Sequence, residues 1–204
     1  MDQSPDPVAE PDAYRATLLG ALGDDDLPTA LASSPAALKQ LIEDAGDLLR
    51  VRPEPTEWSV LECVGHIVDA ELVVSTRVRW IISEDQPDIV GYDQDLWVNG
   101  LRHDQDDPAV LLALFDGLRR ANLDLWARAP VEARARVGLH RERGAESYEL
   151  TTRLSAGHDR VHILADPVLG GLYAAAIENY GRTAHLVDSP AAFAAGIIAI
   201  GNQI

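Results

Sequence analysis

The stretch that decides the fold runs from Trp58 to Glu71 and reads WSVLECVGHIVDAE. Its Ser59 and Glu62 form a capping box, in which each side chain can accept a hydrogen bond from the backbone N–H of the other residue. Downstream of this box, apolar residues keep a helical spacing from Val60 to about Ser83. The sequence therefore predicts a helix of about 25 residues, long enough to cross a small domain.

Four further helices are predicted from capping residues and from apolar residues that recur with helical spacing. They cover Asp12–Leu22, Pro35–Arg50 with Ser34 as N-cap, Pro108–Arg128, and Tyr148–Ala165. Residues 84–107 are interpreted as a solvated acidic loop, and residues 130–147 as a loop or short hairpin-like excursion. Because strand signals are few, the predicted fold class is all-α, with a helical bundle as the architecture.

Three regions are expected along the chain. Residues 1–11 are predicted to be a flexible tail, and residues 12–165 the helical bundle. Residues 166–204 form an apolar extension with few charges, in which one or two helices are predicted at about 172–187 and 190–200. Their weak polar faces favour packing on the bundle or on a partner subunit.

Composition and charge exclude several classes of function. The net charge of −16 would repel phosphate backbones and anionic lipids, so neither nucleic acid nor a membrane is an expected partner. No apolar run reaches the length of a membrane span, and the N-terminus lacks the features of a signal peptide. The single Cys63 cannot form an internal disulfide, and is interpreted as a buried apolar residue beside Trp58, with a thiolate role as the alternative. We therefore expect a cytoplasmic protein.

Three histidines are candidates for a metal site. His158 and His162 are separated by four residues on a predicted helix, so both imidazoles face the same side. His66, on the long capped helix, could complete the cluster if the two helices pack side by side. Three imidazoles suit zinc or nickel, and they leave a coordination position for water or substrate. The alternative is a solvated helix face, with His66 at the border of the core.

The combination of motifs resembles the DinB/YfiT-like family. The resemblance rests on three segments in family order: Trp58–Glu71, Arg77–Trp97, and Gly138–Ile163 with its H-D-x-x-H motif. It implies a four-helix bundle, usually a homodimer, with a divalent metal ion held by three histidines. These correspond here to His66, His158 and His162, whereas His140 matches a loop histidine that is not predicted to be a ligand.

The family's activities imply an enzyme that uses the metal ion to activate water or a low-molecular-weight thiol, for transfer or hydrolysis on a small molecule. Glu62 or Asp159 could assist proton transfer, but Glu62 also fits a purely capping role, and Asp159 could orient a ligand or lie on the surface. Arg77 could bind a substrate carboxylate or form a surface ion pair. The main alternative function is a non-catalytic metal-binding stress-response protein or dimeric scaffold. A weaker one is an interaction module without metal.

Overall fold

The computed structural model describes residue 5 and residues 7–163. In chain order the elements are α1 (Pro11–Leu22), α2 (Leu27–Ala45), α3 (Val60–Ser83), β1 (Asp88–Ile89), α4 (Gln94–Gly100), α5 (Pro108–Arg128), α6 (Val131–Arg134), β2 (Val137–His140), β3 (Gly144–Ser147) and α7 (Tyr148–His162). Short 3-10 turns follow α2 and α4, at Gly46–Leu48 and His103–Gln105. The extension predicted at 166–204, with its possible helices, lies outside the described residues.

The four long helices α2, α3, α5 and α7 form a bundle. Helix α3 packs against α5 and α7, and α2 packs against the same two helices. Helix α1 packs closely against α7 at Gly157. The missing side chain permits this approach, since a Cβ at Gly157 would lie 2.1 Å from the carbonyl oxygen of Leu18. The prediction of a helical bundle is confirmed.

The bundle core has two hydrophobic clusters with a buried polar layer between them. One cluster includes Leu38, Leu41, Val64, Ile67 and Phe115, and the other includes Leu31, Val78, Ile81, Trp126 and Ala156. The polar layer contains Ser34, Glu71, Ser75, Arg119, Asn122, Ser155 and Asp159. Each bundle helix contributes at least one residue to this layer, so polar groups cross the whole core.

Helices α3 and α5 begin where their N-terminal caps predict. The Ser59 hydroxyl accepts a hydrogen bond from Glu62 N, and the Glu62 carboxylate accepts one from Ser59 N at 2.7 Å. The Asp107 carboxylate accepts a hydrogen bond from Ala109 N at 2.8 Å, at the start of α5. These local bonds satisfy backbone donors that have no partner inside a helix.

The predicted start of α2 at Pro35 is wrong. The helix begins at Leu27, where the Asp26 carboxylate caps Thr29 N, and continues through Pro35 to Ala45. Ser34 does not act as a cap, because its hydroxyl donates a 2.6 Å hydrogen bond to Asp159 in the polar layer. Pro35 removes one helical donor, but burial of the preceding turns keeps the helix continuous.

The interpretation of residues 84–107 as one acidic loop is incomplete. Helix α4 forms there, capped by Asp93, and the two-residue strand β1 pairs in parallel with β2. Strands β2 and β3 form an antiparallel hairpin, which confirms the excursion predicted at 130–147. Within the described residues, no helix is both long and apolar enough to span a bilayer.

Candidate metal centre

The contact between α3 and α7 brings the three predicted histidines together. His66 comes from α3, and His158 and His162 come from consecutive turns of α7. The Nε2 atoms of His66 and His158 are 3.3 Å apart, and one ligand nitrogen from each histidine lies within 4.8 Å of the other two. Side-by-side packing of the two helices thus produces the cluster expected from the sequence.

The three imidazoles are held in their neutral form. Burial, together with the nearby His162 and His103, lowers the pKa of His66 to about 3. Burial and the neighbouring His66 lower the pKa of His158 to about 3. Burial and the neighbouring His158 lower the pKa of His162 well below its usual value. A neutral imidazole keeps the lone pair that a metal ion requires.

The hydrogen bonding of the cluster also fits a metal ion. The buried Nε2 of His162 has no hydrogen-bond partner among the described residues. A buried polar atom without a partner costs free energy, and a metal ion would satisfy the nitrogens that face one another. Three imidazole donors match the preference of divalent zinc and nickel.

A cavity of about 320 Å³ lies beside the cluster. His66 and His158 form part of its wall, together with residues of α1, α3 and α7 and of the segments that follow α3 and β2. Its other lining residues include Tyr14, Ala70, Glu71, Val73, Arg77, Tyr92, Glu142, Arg143, Glu146, Thr151 and Ser155. The volume is at the lower end of the range of small-molecule sites.

The polar layer of the core contains a buried ion cluster that borders the cavity. Arg119 Nη2 lies 2.9 Å from Glu71 Oε2 and 2.9 Å from Asp159 Oδ2. The guanidinium also lies over the Phe115 ring, 4.8 Å from its centroid. Asn122 donates a 2.7 Å hydrogen bond to the second Glu71 oxygen. Arg119 was missed from sequence, because the adjacent Arg119 and Arg120 look like a charged helix surface.

Asp159 lies in this ion cluster rather than on the helix surface. Besides Arg119, the Ser34 hydroxyl bonds to its carboxylate. Burial raises the pKa of Asp159, and Arg119 and Ser34 oppose that rise. Burial likewise raises the pKa of Glu71 to about 7, against the effect of Arg119. Asp159 follows His158 directly in the sequence, but its carboxylate lies against Arg119.

Glu62 is occupied at the start of α3. Its carboxylate accepts hydrogen bonds from Ser59 and from the Arg52 guanidinium, and it does not line the cavity. Burial raises the pKa of Glu62, but the bonds from Arg52 and Ser59 outweigh burial and hold it below its usual value. This geometry fits the capping role that the sequence offered as the alternative to proton transfer.

Arg77 does reach the cavity. It is 8% exposed, and its Nη2 donates a 2.9 Å hydrogen bond to the Val90 carbonyl. Nearby, Arg143 forms two hydrogen bonds to Glu146, and Arg15 pairs with the same carboxylate at 3.2 Å. The surface ion pair considered for Arg77 is not observed among the described residues.

His140 and Cys63 lie apart from the cluster. The Nδ1 atom of His140 accepts weak hydrogen bonds from backbone N–H groups of its own turn, and burial lowers its pKa to about 4. Cys63 is buried in a hydrophobic cluster that also contains Trp58, and burial raises the pKa of its thiol. Neither belongs to the group of potential ligands found in the described residues.

Comparison with known proteins agrees with this fold. The family model of the DinB superfamily matches residues 30–165. The curated proteins yield no match. Among solved structures, the chain is similar to YfiT from Bacillus subtilis, described as a probable metal-dependent hydrolase with an unusual four-helix bundle topology. The two chains are 22% identical, with a TM-score of 0.63, over 77% of this chain and 87% of YfiT. The fold implied by the motifs is confirmed.

Proposed function

Because this chain belongs to the DinB superfamily, we propose that it is a metal-dependent hydrolase of a small molecule. The observation that carries the proposal is the cluster of three histidines, of which His66 and His158 line the wall of a cavity. The description of the similar YfiT as a probable metal-dependent hydrolase supports the same reaction class. Zinc and nickel are among the divalent ions that imidazole ligands suit, and we propose one of these two.

In this proposal His66, His158 and His162 hold the ion. A divalent ion with three protein ligands supplies Lewis acidity and lowers the pKa of water toward neutrality. Burial keeps the three imidazoles neutral, so they remain ligands rather than proton donors near pH 7. The cavity admits a small molecule to the side formed by His66 and His158.

The ion cluster positions α7 rather than transferring protons. Asp159 is held by Arg119 and Ser34, so its bonds fix the turn of α7 that carries His158. Glu71 lies on the cavity wall with one oxygen on Arg119 and the other on Asn122. We assign both carboxylates to positioning the histidines.

The test is hydrolysis by protein that has been stripped of metal and reloaded with zinc or nickel. A panel of small esters, amides and lactones is assayed with wild type, with His162→Ala and with His140→Gln. The last variant is the matched control, since His140 is a buried histidine outside the cluster. We expect hydrolysis by reloaded wild type and control, and a loss of about a hundredfold or more in kcat/KM in His162→Ala.

The alternatives give different results in the same assay. Turnover that requires an added thiol, such as mycothiol or bacillithiol, would replace hydrolysis by thiol transfer. Metal binding without turnover across the panel would favour the scaffold function. Equal hydrolysis by His162→Ala and wild type would contradict a role for the histidines.

A further inference from the structure

Arg77 is a buried cation without a matching anion. The residue is 8% exposed, its guanidinium lies in the wall of the cavity, and no carboxylate of the described residues lies within ion-pair distance. Its Nη2 bonds to the Val90 carbonyl, whereas its Nε has no hydrogen-bond partner among the described residues. Buried charges in proteins are ordinarily paired, because desolvation of an isolated charge is costly.

Glu146, the carboxylate that acts electrostatically on Arg77, is already paired with other arginines. Glu146 accepts hydrogen bonds from both Arg143 and Arg15, so its charge is neutralised by two guanidiniums. Arg77 therefore adds a third cation to a group that holds one buried anion. The phenols of Tyr14 and Tyr92 line the same part of the cavity and can donate hydrogen bonds.

We propose that Arg77 is the anchor of an oxyanion subsite, and that the substrate of the proposed metal centre carries a carboxylate or phosphate end group. That the anion bound at Arg77 is the substrate rests on the proposed function. A guanidinium is suited to the role, since its planar fork binds carboxylate and phosphate oxygens in pairs. Tyr14 and Tyr92 supply further neutral donors.

The placement of the subsite limits the length of the substrate. His66 and Arg77 are 11 residues apart on α3, which corresponds to about 16 Å along the helix axis. Helical side chains lean toward the N-terminus, and because the side chain of Arg77 is longer than that of His66, we expect the guanidinium to lie closer to the imidazole than this spacing. Tyr92 links the two ends, with its ring centroid 6.5 Å from that of His66 and its phenol near Arg77. The substrate is thus a small elongated acid.

The experiment is thermal unfolding of zinc-loaded protein with glutarate, inorganic phosphate or uncharged glutaramide, at matched ionic strength. Wild type is compared with Arg77→Met, Arg77→Lys, His162→Ala and the surface control Arg120→Met. We expect glutarate or phosphate to raise the Tm of wild type by about 3 °C at ten times the dissociation constant. The shift is retained in Arg120→Met, reduced in Arg77→Lys and lost in Arg77→Met.

Each outcome decides between the proposals. Whichever anion gives the larger shift identifies the end group, and glutaramide gives none. A shift in His162→Ala together with absence of bound metal in wild type would leave the subsite standing while the proposed function fails. No shift in wild type with either anion would overturn the subsite, as would equal shifts in wild type and Arg77→Met. If Arg77→Met does not fold, an undiminished shift in Arg77→Lys overturns it.

Discussion

Two buried arginines of this bundle have opposite surroundings. Arg119 lies between two carboxylates, Glu71 and Asp159, at 2.9 Å from each. Arg77, on α3 in the wall of the cavity, has no carboxylate within ion-pair distance among the described residues. The difference indicates two uses of a buried charge. A cation paired with buried anions joins elements of the fold, whereas we propose that the cation without them binds an anionic ligand.

The comparison also explains how the histidines are held. The Arg119 cluster joins α2, α3, α5 and α7 through Ser34, Glu71, Arg119 and Asp159. His66 and His158 lie beside it on α3 and α7, so the same polar layer fixes the two helices that carry the three candidate metal ligands. Arg77 lies three turns beyond His66 on α3, where it forms part of the cavity wall.

The largest effect is expected from Arg119→Met. Two buried carboxylates would lose their counter-charge, and breaking a buried pair in this way costs about 3–5 kcal/mol. The free energy of unfolding is measured by urea denaturation of metal-free protein. A loss below about 1 kcal/mol would show that the cluster is not a structural element.

A pH profile tests the state of Glu71. Its pKa in the folded protein is raised to about 7 from a usual 4.5, so the folded state retains a proton that the unfolded chain releases. The free energy of unfolding should therefore fall as pH rises from about 4.5 to about 7. Subtracting the profile of Glu71→Gln isolates this contribution, and parallel profiles for the two proteins would contradict it.

Arg77→Met should behave unlike Arg119→Met. Removing a buried cation that has no anionic partner relieves its desolvation, so metal-free protein should keep its stability or gain about 1 kcal/mol. The measurement is the same urea denaturation. A destabilisation comparable to that of Arg119→Met would erase the distinction between the two arginines.

The smallest effect is expected from Arg120→Met, next to Arg119 in the chain. Arg120 pairs with Asp116 one turn away, and its side chain is 73% exposed. Exposed pairs of this kind contribute about 0.5 kcal/mol or less. A larger loss in urea denaturation would indicate that loss of any arginine from α5 is damaging, and would weaken the interpretation of Arg119→Met.

The sequence predicted the parts of the fold that depend on local signals. The Ser59–Glu62 box and the Asp107–Pro108 start gave α3 and α5 their first residues, and the His158–His162 spacing gave the α7 half of the candidate site. The start of α2 was wrong because Ser34-Pro35 is also a valid cap signal. Only tertiary structure shows Ser34 bonded to Asp159.

The features that were missed depend on distant pairing. Strand β1 has two residues and pairs with a strand about 50 positions later, so no local sequence pattern predicts it. Arg119 was missed because a charge on a helix indicates a surface unless its partners are known. Glu71 stands in the quoted family motif, but its role depends on Arg119. The burial of Arg77 likewise follows from the packing of the segments after α3 and β2.

The most direct test of the central claim is the metal content per chain, measured by inductively coupled plasma mass spectrometry. Wild type, His162→Ala and the control His140→Gln are compared after loading with zinc or nickel and removal of excess ion. The three-histidine site predicts one ion per chain in wild type and control, and loss of that ion in His162→Ala. Equal metal content in wild type and His162→Ala, or none in wild type, would contradict the account.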